Sequence, residues 1–246
     1  MGKASEHRSS VTVTGDGGSM PVDVRDQLMK RAEEMRKKIG APSGDKIRLL
    51  KSKAFKLPNG TESKDPLRVV VLDFVSYNAW FDRPFGENTP PACFALGADP
   101  LLLAPSDKSP DKQADSCGVC PFNEFGSRGK GKECGNHRLL AVVEPTGDPE
   151  APIYLLQTGP TTVKHWDAYV TQVLNQFPLG IVSVSTEIYF DPSSDWAALR
   201  FGSPQPNEFL GIHSARIEAA AARLLTEPDV SNYQAPKPVA RGGKKK

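Results

Sequence analysis

"LRVVVLDFVSYNAW", Leu67–Trp80, is rich in β-branched and aromatic side chains and holds no glycine or proline. That composition favours extended backbone, and a strand of this length can curl into a barrel. Upstream, "KIRLLKSKAFKLPNG" (46–60) offers a shorter strand and a turn at Leu57–Gly60. Downstream, "HRLLAVVEP" (137–145) and "APIYLLQTG" (151–159) read as two strands joined through the turn-forming "PTGDPEAP", a hairpin. "PTTVKHWDAYVTQVLNQF" (160–177) places Pro160 at a helix start and Val163, Trp166, Val170, Val173, Leu174 and Phe177 at helical spacing, so this helix should pack on the sheet. "IVSVSTEIYF" (181–190) alternates, with Val182, Val184, Thr186, Ile188 and Phe190 on one face of a half-buried strand. A last helix is expected near Asn207–Leu225. The order fits an α+β, mainly β fold: a five-stranded oligonucleotide-binding (OB-like) barrel with a zinc-binding insertion and flanking helices.

The flanks differ in composition. Residues 1–20, rich in Ser, Gly and Thr, read as a disordered tail. Residues 21–42 read as an amphipathic helix with Val24, Leu28, Met35 and Ile39 near one face and Gly40 closing it. The OB-like domain spans 43–226, with the zinc subdomain at about 90–138, and 227–246 form a basic Pro/Gly/Lys-rich tail. The start "MGKASEHRSS" lacks the apolar centre of a signal peptide, and no apolar run approaches the roughly 18 residues of a membrane span. An intracellular protein without a membrane partner is the expectation.

All four cysteines fall between positions 93 and 134. In a reducing compartment such clustering points to metal ligation rather than disulfides. Cys117-Gly-Val-Cys120 is a C-x-x-C knuckle whose short loop lets two thiolates chelate one ion, and Cys134 and Cys93 supply a third and a fourth. Four thiolates close a tetrahedron and leave no position for water or substrate, so one structural Zn²⁺ is expected. Cys134-Gly-Asn-His137 also completes a C-x-x-C…C-x-x-H spacing, which keeps His137 as the alternative to Cys93.

The net charge of +2 is a cancellation. Residues 30–56 hold ten Lys/Arg against three acids, 128–143 four against one, and 236–246 five against none. Lys51, Lys53, Lys56 and Arg68 lie on or beside the first strands. Tyr77, Trp80, Phe81 and Arg83 end the long one, and Arg128, Lys130, Lys132 and Arg138 decorate the cysteine loop. Cations for phosphates and flat rings for bases are what a single-stranded nucleic acid requires. Strand-end aromatics also serve as core, so only one or two of Tyr77, Trp80 and Phe81 are expected to be exposed.

Enzymatic readings fail on chemistry. "GSRGKGKE" (126–133) matches G-x-x-x-x-G-K, but Glu133 stands where a hydroxyl must hold Mg²⁺. No H-x-E accompanies the cysteines as a zinc deaminase demands, and no Ser-His-Asp or H-E-x-x-H constellation occurs. A non-enzyme is expected.

"SYNAWFDRPFGENTPPACFALG" followed by "CGVCPFNEFGSRGKGKECGNHRLLAVV" resembles uncharacterised tailed-bacteriophage proteins over roughly residues 46–225. More distantly, the order knuckle, strand, acidic-proline turn, strand, helix resembles the zinc-containing helix-destabilising proteins of large tailed phages. That resemblance implies single-stranded DNA binding in phage replication or recombination, replication or recombination proteins as partners, and a location in the host cytoplasm. Those proteins end in an acidic recruiting tail; this chain ends "RGGKKK", so tail-mediated recruitment is not implied. The other class of function is a zinc-stabilised structural or interaction protein, a virion component or transcription-modulating factor, without nucleic-acid binding.

Overall fold

A computed structural model describes residues 27, 31, 45–83 and 89–235. The expected tail at 1–20 and most of the expected helix at 21–42 lie outside the described residues, as does 236–246. The chain divides into two compact units, Met1–Pro42 and Ser43–Lys246, and the second holds the sheet.

Nine strands form one curled sheet: β1 (Lys46–Leu49), β2 (Phe55–Lys56), β3 (Glu62–Ser63), β4 (Leu67–Trp80), β5 (Cys93–Gly97), β6 (Gly135–Val143), β7 (Tyr154–Gln157), β8 (Val184–Phe190) and β9 (Leu199–Pro206). Among the described residues of the second unit, three α-helices accompany them: α1 (Val163–Gln176), α2 (Leu210–Ser214) and α3 (Ile217–Leu224). The strand order is β3-β2-β1-β7-β6-β4-β8-β9. β4 is the spine, as its sequence foretells. One of its edges carries β6 along nearly its whole length. The other is shared, with β8 on Leu67–Val70 and β5 on Ser76–Trp80.

Three expectations are corrected by this architecture. Five strands were expected, and the sheet has nine. The missed ones are weak in sequence: β5 is "CFALG", and β9 contains Gly202, Pro204 and Pro206, which an edge strand tolerates because it need not donate on both sides. An OB-like barrel was expected, and the sheet curls as a half-barrel: among the described residues no ladder joins its two ends. Side chains bring the β1–β2 turn up to the end of β8 instead: the Phe55 and Phe190 rings lie 4.5 Å apart, and Lys53 Nζ donates to the carbonyl of Asp191 at 3.4 Å. Finally, the last helix is two, interrupted at Arg216, whose guanidinium turns to the Ala151 carbonyl.

Alternation along the strands builds two cores. Val69, Val71, Leu140, Val142, Leu156, Val184 and Ile188 face α1 and meet Trp166, Tyr169 and Val173. Val70, Leu72, Val75, Leu139, Ala141 and Val143 face the other way and meet Ala220 and Leu224 of α3. Burial of each such aliphatic side chain contributes about 1.5–3 kcal/mol, which is why both faces of this sheet read apolar. A bulge between Val71 and Asp73 inserts one residue in β4. Phe74 thereby joins the α1 face, edge-on to Trp166 at 5.1 Å, while Val75 joins the α3 face. Among the described residues no helix is long and apolar enough to cross a membrane.

Candidate metal centre and nucleic-acid interface

The pleat of β4, β5 and β6 decides which side chains meet the cysteines. Trp80 pairs with Cys93, Asn78 with Ala95 and with Asn136, so Asn78, Trp80, Cys93 and Asn136 share one face. Two residues before Asn136, Cys134 enters on the same side. The knuckle is laid over this face by short bonds. Cys117 N donates to Leu103 O at 2.9 Å, Asn123 N to Cys120 O at 2.9 Å, and Cys134 N to Phe122 O at 2.8 Å. Ser116 Oγ accepts from Gly118 N and caps the first turn.

All four cysteines are free and buried. Together they line one small hollow of about 10 Å³, with Asn78, Trp80, Phe94 and Phe122 among the other residues of its wall. That volume is roughly one water-sized sphere. The thiols feel one another: burial, and then the charges of Cys117, Cys120 and Cys93, push Cys134 up to about 12, against a smaller downward pull from Lys132. Burial likewise raises Cys93 and Cys117. Thiols that resist ionisation in each other's company are a donor set that a divalent cation would stabilise as thiolates, and their softness suits zinc. The four sulfurs share the hollow without forming a finished ligand set: among the described residues no group of three or more His, Cys, Asp or Glu side chains is arranged to hold a metal ion.

His137 lies elsewhere. It pairs with Tyr77, on the face opposite Asn78 and Asn136, and it is absent from the wall of the hollow. Its Nδ1–H donates to the Thr158 carbonyl at 2.7 Å, its ring lies 5.8 Å from that of Tyr77, and burial lowers its pKa. Sequence spacing counts residues; the two-residue period of a strand places Cys134 and His137 on opposite faces.

Behind the cysteines sits a polar network that the sequence did not announce. Lys132 Nζ donates to Asn123 Oδ1 at 3.1 Å and Asn136 Oδ1 at 3.0 Å, and Asn136 Nδ2 donates to Asn78 Oδ1 at 2.7 Å. Asn78 in turn bonds the Cys117 side chain and lowers its pKa against the effect of burial. The only sequence signal was a pair of asparagines at positions where strands usually carry apolar residues.

The segment "GSRGKGK" forms a tight hairpin, with Gly131 N bonded to Arg128 O at 2.9 Å and Gly126 N to Gly131 O at 2.9 Å. Gly126 (φ 97°) and Gly129 (φ 61°) adopt backbone that other residues enter only with strain. Arg128 and Lys130 project from it, and Phe125 beside them is 83% exposed, with Lys132 Nζ 4.9 Å from its ring centroid.

The other expected contacts are distributed differently. Tyr77 is buried, Phe81 is half-buried, and Trp80 is half-buried with its ring 5.0 Å from that of Phe122. Arg138 forks onto Asp167 of α1 at 3.0 and 2.9 Å and also donates to Ser76 Oγ. Arg68 pairs with Glu187 and bonds Ser185 and Ser203. Arg83 pairs with Asp82, with the Tyr233 ring 5.5 Å away, and Lys56 pairs with Glu62 at 3.6 Å. Lys51 is exposed on the turn that Lys53 anchors. The structure therefore puts exposed Arg128 and Lys130 on the hairpin that follows Phe125, a ring not expected from the sequence, with Lys132 Nζ over that ring and bonded to Asn123 and Asn136. Its signal was present: a lone aromatic among glycines and cations has no strand or helix to bury it.

No family model, curated protein or solved structure matches this chain.

Proposed function

We propose that this chain is a non-enzymatic single-stranded nucleic-acid-binding protein in which Cys93, Cys117, Cys120 and Cys134 hold one structural zinc ion. The observation that carries the reading is the hairpin, where an exposed phenyl ring with Lys132 over it precedes exposed Arg128 and Lys130. Cations track phosphates, and a flat ring offers unpaired bases a surface worth about 1–3 kcal/mol per stacked base. The shared cysteine hollow supports the zinc assignment. With four thiolates drawn inward, zinc would stiffen the polar loop that carries this hairpin. The curled sheet with a helix on each face is compatible with an oligonucleotide-binding fold enlarged by extra strands. The motif resemblance to phage helix-destabilising proteins adds DNA, phage replication or recombination, their protein partners and the host cytoplasm to the proposal.

Oligonucleotide titration of variants tests it. Replacing Arg128 and Lys130 together by alanine is expected to reduce the salt slope of single-strand binding by about 1.4, two contacts at about 0.7 each, without changing the preference for single strands. An unchanged slope would remove the hairpin from the interface.

A second reading, an interaction protein without nucleic-acid binding, is favoured by one observation: Leu101, Leu102 and Val119 of the same lobe are 83%, 79% and 73% exposed. Retention of all oligonucleotide binding by a Leu101→Ser, Leu102→Ser, Val119→Ser variant would leave that patch to a protein partner. Absence of oligonucleotide binding in the parent chain would make this the leading reading.

A further inference from the structure

Trp196 is 73% exposed. It sits in the loop between β8 and β9, and that loop is held firmly at its base. Asp191 N donates to Ala198 O at 2.8 Å, Ala198 N to Trp196 O at 2.8 Å, and Trp196 N to Ser194 Oγ at 3.2 Å. The Asp191 carboxylate accepts from Ser193 N and Oγ and from the Arg200 guanidinium. From the facing turn, Lys53 reaches the carbonyls of Asp191 and Ser194 while its own backbone is held at φ 55°, a conformation that side chains other than glycine's enter with strain. Strain of this kind persists only where surrounding contacts hold it. An indole kept in water by an ordered loop is a prepared contact surface, whereas the other two tryptophans, Trp80 and Trp166, are half-buried and buried.

Cations flank the loop. Lys53 and Arg200 are engaged with it, on the carbonyls of Asp191 and Ser194 and on the Asp191 carboxylate. Lys51 is exposed on the facing turn and Lys164 on the first turn of α1, where its neighbour His165 bonds Arg200 at 2.9 Å. Asp195 is the exposed acid of the loop. α1 ties this loop to the sheet: His165 bonds Arg200 of β9, and Asp167 accepts from Arg138 of β6.

We propose that Trp196, with Lys51 of the facing turn, is a second stacking contact for a single-stranded nucleic acid, separate from the Phe125 hairpin. This rests on the function proposed above and deepens it: the bound strand meets a second exposed ring, on the β8–β9 loop, besides Phe125. A protein partner would find one ring in a field of charges. A strand finds both components it needs, a base-sized ring and cations for its phosphates.

The test is a fluorescence and anisotropy titration of the full chain with single-stranded and duplex oligonucleotides. Single strands long enough to span both contacts should quench Trp196 emission. Trp196→Ala should weaken single-strand binding by about 5- to 150-fold and duplex binding little, while Trp196→Phe retains most of the affinity. Lys51→Ala should lower the salt slope by about 0.7. The ring is exposed, so folding is expected to survive, and circular dichroism checks it. If the parent binds single strands and Phe125→Ala weakens them while Trp196→Ala does not, this inference is overturned and the proposed function stands. If the parent binds no oligonucleotide even at low salt, both fall.

Discussion

Cys117→Ser is expected to abolish zinc retention and to release the cysteine lobe while leaving the sheet folded. The lobe between β5 and β6 has little core of its own: its buried cluster is Ala95, Leu103 and Cys117. Its backbone is otherwise held by short turns and by the ladders of β4 with β5 and β6. A structural zinc site contributes about 10–16 kcal/mol of apparent binding free energy in small zinc domains, far more than so small an apolar cluster supplies. Loss of one thiolate should therefore convert residues 98–134 from protected to protease-sensitive chain. β4 and β6 keep their partners and both main cores, so the far-ultraviolet signal of the sheet should persist. His137→Gln should keep the metal, because His137 stands on the other face of β6 and bonds Thr158. One zinc per chain measured in purified Cys117→Ser protein would overturn the ligand assignment, and its loss in His137→Gln would transfer a ligand to that histidine.

Trp166→Ala is expected to be the most damaging substitution in the sheet domain, at about 3–5 kcal/mol. The indole is fully buried and touches Phe74, Phe201 at 4.9 Å and Tyr169, joining α1 to β4 and β9. At about 2–4 °C per kcal/mol for a chain of this size, the midpoint should fall by about 6–20 °C. Trp166→Phe should cost less. It leaves a smaller void, and it removes an indole N–H that has no partner in this core, a group whose burial costs about 1–3 kcal/mol. Both variants remove that N–H, so the difference between their thermal melts reports the larger void left by alanine. Equal losses would show that void size does not set the cost.

What the sequence made legible was whatever local pattern determines. β4, the β6–β7 hairpin, α1 and β8 stand close to where their composition and periodicity put them, since each buries its own face on a neighbour. β1 was read as a strand, but its parallel pairing with β7 across about a hundred residues leaves no local trace. The four cysteines were found by clustering, and the pleat that turns His137 away from them was implicit in the strand period. The aromatic contacts were the hardest to assign. Trp80 ends a strand and looks available, yet the knuckle returns Phe122 onto it. Arg138 and Arg68 look like free cations until Asp167 and Glu187, distant in sequence, arrive beside them. Phe125 and Trp196 were not singled out from the sequence; the structure shows both rings largely exposed.

The most direct test of single-strand recognition is the affinity of the zinc-loaded full chain for a single-stranded oligonucleotide and its duplex, measured across a salt series. Counterion release predicts a linear fall of log affinity with log salt, at about −0.7 per phosphate contact on single strands. Stacking on Phe125 and Trp196 predicts a preference for single strands that survives at physiological salt, because only unpaired bases offer their faces. Equal affinity for strand and duplex there, or no binding at any salt, would contradict it.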